Sequence, residues 1–153
     1  MGSLELKVPP PAVALVFGLL MWLVSTLGGA VDVSSGIRIG SVIVVASIGV
    51  VLGVTAMASF LRAKTTMNPT RPGATSSLVT HGVFRVTRNP MYLSLVLYLV
   101  AWAVYLSNWV SLLLVPVFVL YIDQFQIKPE ERALSALYGA EYASYKARVR
   151  RWL

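Results

Sequence analysis

Residues 90–122 read PMYLSLVLYLVAWAVYLSNWVSLLLVPVFVLYI, with no Asp, Glu, Lys, Arg or His anywhere in the run. That is longer than the ~20 apolar residues that carry one helix across a bilayer. Ser107-Asn108 interrupts it near the middle. The economical reading is a helical hairpin, with one helix over 90–106 and another over 109–125. Pro116 should kink the second helix, its lost backbone bond being met by neighbours. Outward from the hairpin, residues 10–30 and 39–61 are also free of charge and long enough to span. The first run exceeds the ~7–15 apolar residues of a secretory signal core, so it reads as a retained helix. The expected fold is all-α, a polytopic membrane protein of about four spans, forming a single domain over residues 1–153.

Composition agrees. Of 153 residues, 57% are hydrophobic and only 12% charged, about half the charged fraction of a soluble domain. Mean hydropathy is +0.74. These values exclude a soluble globular domain and a disordered chain. The formal net charge of +7 would point to nucleic acid in a soluble protein. In this chain membrane topology accounts for it, so no nucleic-acid partner is expected. The sequence has no cysteine and one histidine, which excludes disulfides, thiolate nucleophiles and paired-histidine metal motifs.

Arg62, Lys64, Arg71, Arg85 and Arg88 in a central loop over 62–89, with Lys128, Arg132, Lys146, Arg148, Arg150 and Arg151 in a tail over 126–153, make up eleven of thirteen basic residues. Four spans put loop and tail on one side, and the positive-inside rule makes that side, with both termini, cytoplasmic. Pro69, Pro72 and Gly73 argue against a continuous helix through the loop. In the amphiphilic tail, Pro129 suits a first helical position and Glu130 and Glu131 its positive end. Gly139 should break or bend that helix, and the last basic residues beside Trp152 suit the lipid headgroup region. Gly49 and Gly53 have the G-x-x-x-G spacing that allows close helix approach. Packing within the chain is the first reading of that pair and oligomerisation the second.

Two polar segments fall on the expected cytoplasmic face. The first runs from Leu78 to Tyr92 and holds Thr80, His81, Gly82, Val83, Arg88 and Asn89. Ordinary roles exist for all of these: Asn89 as a helix cap, Pro90 as the first helical residue, Tyr92 as an interfacial anchor. The second is Pro129-Glu130-Glu131-Arg132-Ala133-Leu134, whose carboxylates also serve as routine helix-dipole partners. Asp123, seven residues before Glu130, is placed to pair with Arg88 or another basic residue.

Taken together these residues resemble a known family. Gly82-Val83-Phe84 followed by Arg88-Asn89-Pro90-Met91-Tyr92 is similar to the G-x-(Y/F)-x-x-x-R-(H/N)-P-x-Y signature of the isoprenylcysteine carboxyl methyltransferases. Glu130-Glu131-x-x-Leu134 resembles their E-E-x-x-L element, which phospholipid N-methyltransferases share, and Tyr138 to Tyr145 resembles their F-G-x-E-Y-x-x-Y tail. Order and spacing agree over residues 78–151, with the hairpin between the first two elements. The position most often His in that family is Asn89 here.

The resemblance implies methyl transfer from S-adenosylmethionine to a lipophilic or membrane-associated acceptor, such as a prenylcysteine-type carboxylate. It implies that Thr80, His81, Gly82, Val83, Asn89, Tyr92, Glu130 and Glu131 contact the cofactor, with Arg88 and Glu131 catalytic and no metal required. Such a displacement needs positioning and desolvation rather than a covalent intermediate. Two other readings of the residues are a non-enzymatic membrane scaffold or assembly subunit and a small four-helix transporter.

Overall fold

The computed structural model describes residues 5–63 and 77–153. Lys64, Pro69, Arg71, Pro72 and Gly73 of the expected central loop lie outside the described residues. Five α-helices make up the described fold: α1 (Pro10–Ser25), α2 (Ser35–Arg62), α3 (Pro90–Leu106), α4 (Trp109–Ile122) and α5 (Lys128–Arg148). A short 3-10 turn, Gly82–Arg85, precedes α3. The all-α expectation holds, and the hairpin helix over 90–106 has the expected bounds.

The other boundaries shift for local reasons. The first helix ends at Ser25 rather than at residue 30. The hydroxyls of Ser25 and Thr26 turn back onto the carbonyls of Trp22 and Leu23, each at 2.7 Å, and Gly28 and Gly29 then take positive φ. Helix α2 extends beyond 39–61 at both ends. Helix α4 is not followed by a break. It continues through a π-helical turn, Asp123–Ile127, directly into α5. No break precedes α5, and Pro129 sits in its first turn with Glu130 and Glu131, as expected. Pro116 likewise stays within unbroken α4.

Helix α3 is the centre of the bundle, packing on α2 to one side and on α1 and α4 to the other. Phe118, Met21, Ile122 and Ile127 are fully buried at the α1–α3–α4 junction, with Phe17 meeting Phe118 edge-on at 5.4 Å. The α3–α4 turn is closed by Ser107 in the left-handed region (φ 48, ψ 49). The connection after α1 clips onto this turn. Val31 N–H donates to the Ser107 carbonyl at 2.7 Å and Trp109 N–H to that of Gly29 at 3.1 Å. Asn108 caps α4 through Ser111 N–H at 2.9 Å while its amide donates to the Gly28 carbonyl at 2.6 Å.

The G-x-x-x-G pair is spent inside the chain. A β-carbon on Gly49 would lie 2.9 Å from the Tyr98 ring, and one on Gly53 would lie 3.4 Å from Ser94 Oγ. Close approach of α2 to α3 is what these glycines permit. The outward side of α2 stays apolar and exposed, with Ile43, Val51 and Val54 each about 60% accessible. Helix α2 and the α4–α5 run are long and apolar enough to cross a membrane, and α1 and α3 are shorter apolar helices.

Candidate functional site

The antiparallel order of the helices brings the N-terminal ends of α1 and α3, the C-terminal end of α2 and the π turn after α4 to one end of the bundle. Helices α1 and α2 both lean on α3 there without closing on each other, and a cavity of ≈ 580 Å³ opens between them. Its walls are mainly apolar: Pro9 to Pro11 from α1, Val50, Val54 and Met57 from α2, Leu95 and Tyr98 from α3. Its polar lining comes chiefly from Arg88, Asn89, Tyr92 and Glu130. This volume falls within the ~300–1,000 Å³ range of small-molecule sites.

Tyr92, one turn into α3, is buried and donates its hydroxyl to Glu130 Oε1 at 2.8 Å. It is thus a core residue of the site rather than an interfacial anchor. Burial raises the Glu130 carboxyl to about 7; the Tyr92 hydrogen bond opposes this and neighbouring Glu131 adds to it. A carboxyl poised near neutrality can hold or release a proton under ordinary conditions.

Glu131 lies behind the cavity wall, shared between two arginines. Its Oε1 is 2.9 Å from Arg88 Nη1, and both side chains are only 10% accessible. Arg151 grips the same carboxylate as a fork, Nε to Oε1 at 3.1 Å and Nη2 to Oε2 at 2.7 Å. Its third nitrogen donates to Asp123 Oδ1 at 2.8 Å. The carboxylate hydrogen bonds of Glu131 raise Arg151 further above the ordinary guanidinium range, with burial opposing. Lys128 also approaches Asp123, at 3.4 Å. Asp123 thus pairs with Arg151 and Lys128, not with Arg88.

Arg88 is left in an unusual state. Its Nε and Nη1 are buried without a hydrogen-bond acceptor, the contact to Glu131 being close but not directed as a hydrogen bond. Tyr142, buried on α5, lies near the same guanidinium. Burial pushes the Tyr142 hydroxyl up to about 12, with Glu131 adding to the rise and Arg88 countering it. A guanidinium lining an otherwise apolar cavity is chemically suited to an anion.

The closing segment of the chain completes this end. Arg88 N–H donates to the Arg150 carbonyl at 3.0 Å, and the Arg151 carbonyl accepts from Thr87 Oγ1 at 3.2 Å and Asn89 Nδ2 at 2.9 Å. Asn89 stands at the N-cap position of α3, but its side chain does not cap the helix. Gly139, at φ 49 and ψ −118, kinks α5 as expected. The kink returns Tyr142 and Tyr145 to the site, and Tyr145 donates to the Phe84 carbonyl at 2.7 Å.

Five of the residues singled out in the sequence therefore converge: Arg88, Asn89, Tyr92, Glu130 and Glu131. Thr80, His81, Gly82 and Val83 do not line the cavity. Thr80 and His81 lead into the 3-10 turn that Gly82 and Val83 open, and this turn docks on the end of α2. Val83 packs there with Ala56, Val79 and Phe84, and Gly82 takes φ +61 with Ser59 Oγ 3.2 Å from where a β-carbon would stand. His81 is exposed. Sequence reasoning missed Arg151, whose tail position marked it as one more headgroup charge, and Tyr142, which it saw only as part of a tail motif.

The family model described as phospholipid methyltransferase matches residues 37–141, more than half of the chain and nearly all of the elements that build this site. A curated protein of Haemophilus influenzae, named only as an uncharacterized protein, is 52% identical over 63 residues, which is 41% of this chain and 100% of that protein. No solved structure matches.

Proposed function

The chain belongs to the phospholipid methyltransferase family, and from that membership we propose a specific reaction: transfer of the methyl group of S-adenosylmethionine to a membrane lipid whose anionic group docks on Arg88. Membership makes it an integral membrane methyltransferase with a lipid-type acceptor. The observation that carries the finer reading is the Arg88 guanidinium, one of the few polar groups lining an otherwise apolar cavity. The apolar wall suits hydrocarbon, and a guanidinium in the lining suits a phosphate or carboxylate.

The residues also suit the cofactor. Glu130 sets a carboxylate in the cavity wall, matched to an ammonium or to ribose hydroxyls, with Tyr92 fixing its orientation. When bound, S-adenosylmethionine supplies an electrophilic methyl group on a sulfonium. Thr80, His81, Gly82 and Val83 are assigned to the aqueous side of the donor, and the positive φ of Gly82 brings their segment close to Ser59 on α2. Arg88 orients the acceptor and Glu131 is its counter-ion. A prenylcysteine-type carboxylate would dock its reacting group directly on Arg88 and need no base. A phospholipid amine would dock its phosphate there and hand its proton to Glu130. Both place an anion at the same guanidinium. The site and both termini face the cytoplasm in this reading, supported by Arg62, Arg85, Arg88 and Arg151 gathering at one end of the bundle.

The test uses membranes containing the protein, incubated with methyl-labelled S-adenosylmethionine and separated into lipid, protein and small-molecule fractions. Protein-dependent label is expected in the lipid fraction, falling on the order of tenfold to a hundredfold in Arg88→Ala as charge-assisted contacts are lost. Folded protein that labels no lipid would overturn the reading.

A further inference from the structure

Arg151 presents itself in the sequence as a terminal positive charge. In the fold it is only 31% accessible at its side chain and makes ion pairs to both Glu131 and Asp123. The division of Glu131 between its two arginines is unequal. Arg151 takes the fork, with two directed nitrogens, while Arg88 has a single undirected approach. Glu131 held this way cannot rotate fully onto Arg88, and its charge is already answered by a second cation.

We propose that Arg151 is a positioning residue: by holding Glu131, it keeps the Arg88 guanidinium free to receive the anionic group of the acceptor. Without Arg151, Glu131 is left to Arg88 alone, and their close but undirected contact turns into a directed fork that occupies the guanidinium where the acceptor should dock. The surrounding segment is arranged for this task. The carbonyls of Arg150 and Arg151 are fixed by Arg88 N–H, Thr87 and Asn89, so the backbone bearing the guanidinium is tied to the same turn that bears Arg88. Asp123, carried on the π turn, holds the third nitrogen and orients the fork. A π turn inside an α-helical run is the kind of local irregularity found at functional sites, and here it carries Asp123 and joins α4 to α5, which carries Glu131.

The proposal rests on an anion docking at Arg88, and its test is made to stand apart from methyl transfer. Hexadecyl phosphate binding to purified protein in neutral detergent is measured by calorimetry for wild type, Arg151→Gln, Glu131→Gln and the double variant, each checked for native size and helicity. Arg151→Gln is expected to weaken binding on the order of tenfold, a size typical of coupling between contacting charged groups. In the Glu131→Gln background the same substitution should cost about twofold or less, because the carboxylate it restrains is gone. An equal loss in both backgrounds would make Arg151 a mere tail anchor and overturn the proposal, as would failure of wild type to bind the probe. Should Arg151→Gln misfold, Arg151→Lys keeps the charge without the fork and is expected to weaken binding by a smaller factor that also disappears with Glu131→Gln. Wild-type binding with this coupling but no methylation of any lipid would sink the enzymatic reading and leave the role of Arg151 intact.

Discussion

Glu130 and Glu131 are neighbours with opposite electrostatic circumstances. Glu131 lies between two guanidiniums, whereas Glu130 faces an apolar cavity with one neutral hydroxyl as its partner. Burial therefore holds the Glu130 carboxyl at about 7, against 4.5 for the free side chain. Between those values the folded protein keeps a proton that the unfolded chain has released. Stability contributed by this group is fully present below the unfolded value, falls as pH rises through the window, and is level above about 7. Glu130→Gln keeps an acceptor for Tyr92 and removes the titration. Thermal melts in detergent at pH 5 and pH 8 should show a larger loss on raising pH in wild type than in the variant. An identical loss in both would contradict the assigned environment. The sequence displayed both glutamates and hid this difference, because their divergence depends on partners 38 and 20 residues away.

At the scale of elements, the contact between α2 and α3 is set by two glycines with unequal demands. A methyl on Gly49 would sit 2.9 Å from the Tyr98 ring, and one on Gly53 would make an ordinary contact at 3.4 Å with Ser94 Oγ. Alanine gains up to ~1 kcal/mol over glycine in a helix interior, while forced overpacking costs roughly 1–3 kcal/mol. Gly53→Ala should therefore leave the melting temperature unchanged or slightly higher, and Gly49→Ala should lower it. The reverse ranking would mean that α2 meets α3 in another register. The G-x-x-x-G spacing was readable from the chain; the identity of its partner helix was not, since the spacing marks only a face that tolerates close approach. Pro129 stands in the first turn of α5, as its residue type suggested, but spacing alone did not show that a π turn would carry α4 into that helix without a break.

For the whole molecule, the consequential feature is the gap left where α1 and α2 both lean on α3 but not on each other. A larger side chain on the α2 wall should obstruct a hydrocarbon acceptor without touching the polar residues. Met57→Trp is expected to raise the acceptor KM several-fold while leaving S-adenosylmethionine binding as in wild type. Unchanged kinetics would exclude the cavity as the acceptor's path. The sequence by itself determined that the chain is helical and apolar, where the hairpin turns, and which polar residues were worth watching. It could do so because charge-free length and turn chemistry are local properties. Only the tertiary structure decided that Arg88, Asn89, Tyr92, Glu130 and Glu131 meet at one end of the bundle, that the Thr80–Val83 segment lies against α2, and that Arg151 is ion-paired to Glu131 and Asp123. Those outcomes depend on which helix ends meet and on how a few buried charges divide their partners, and neither is written in the spacing of residues along the chain.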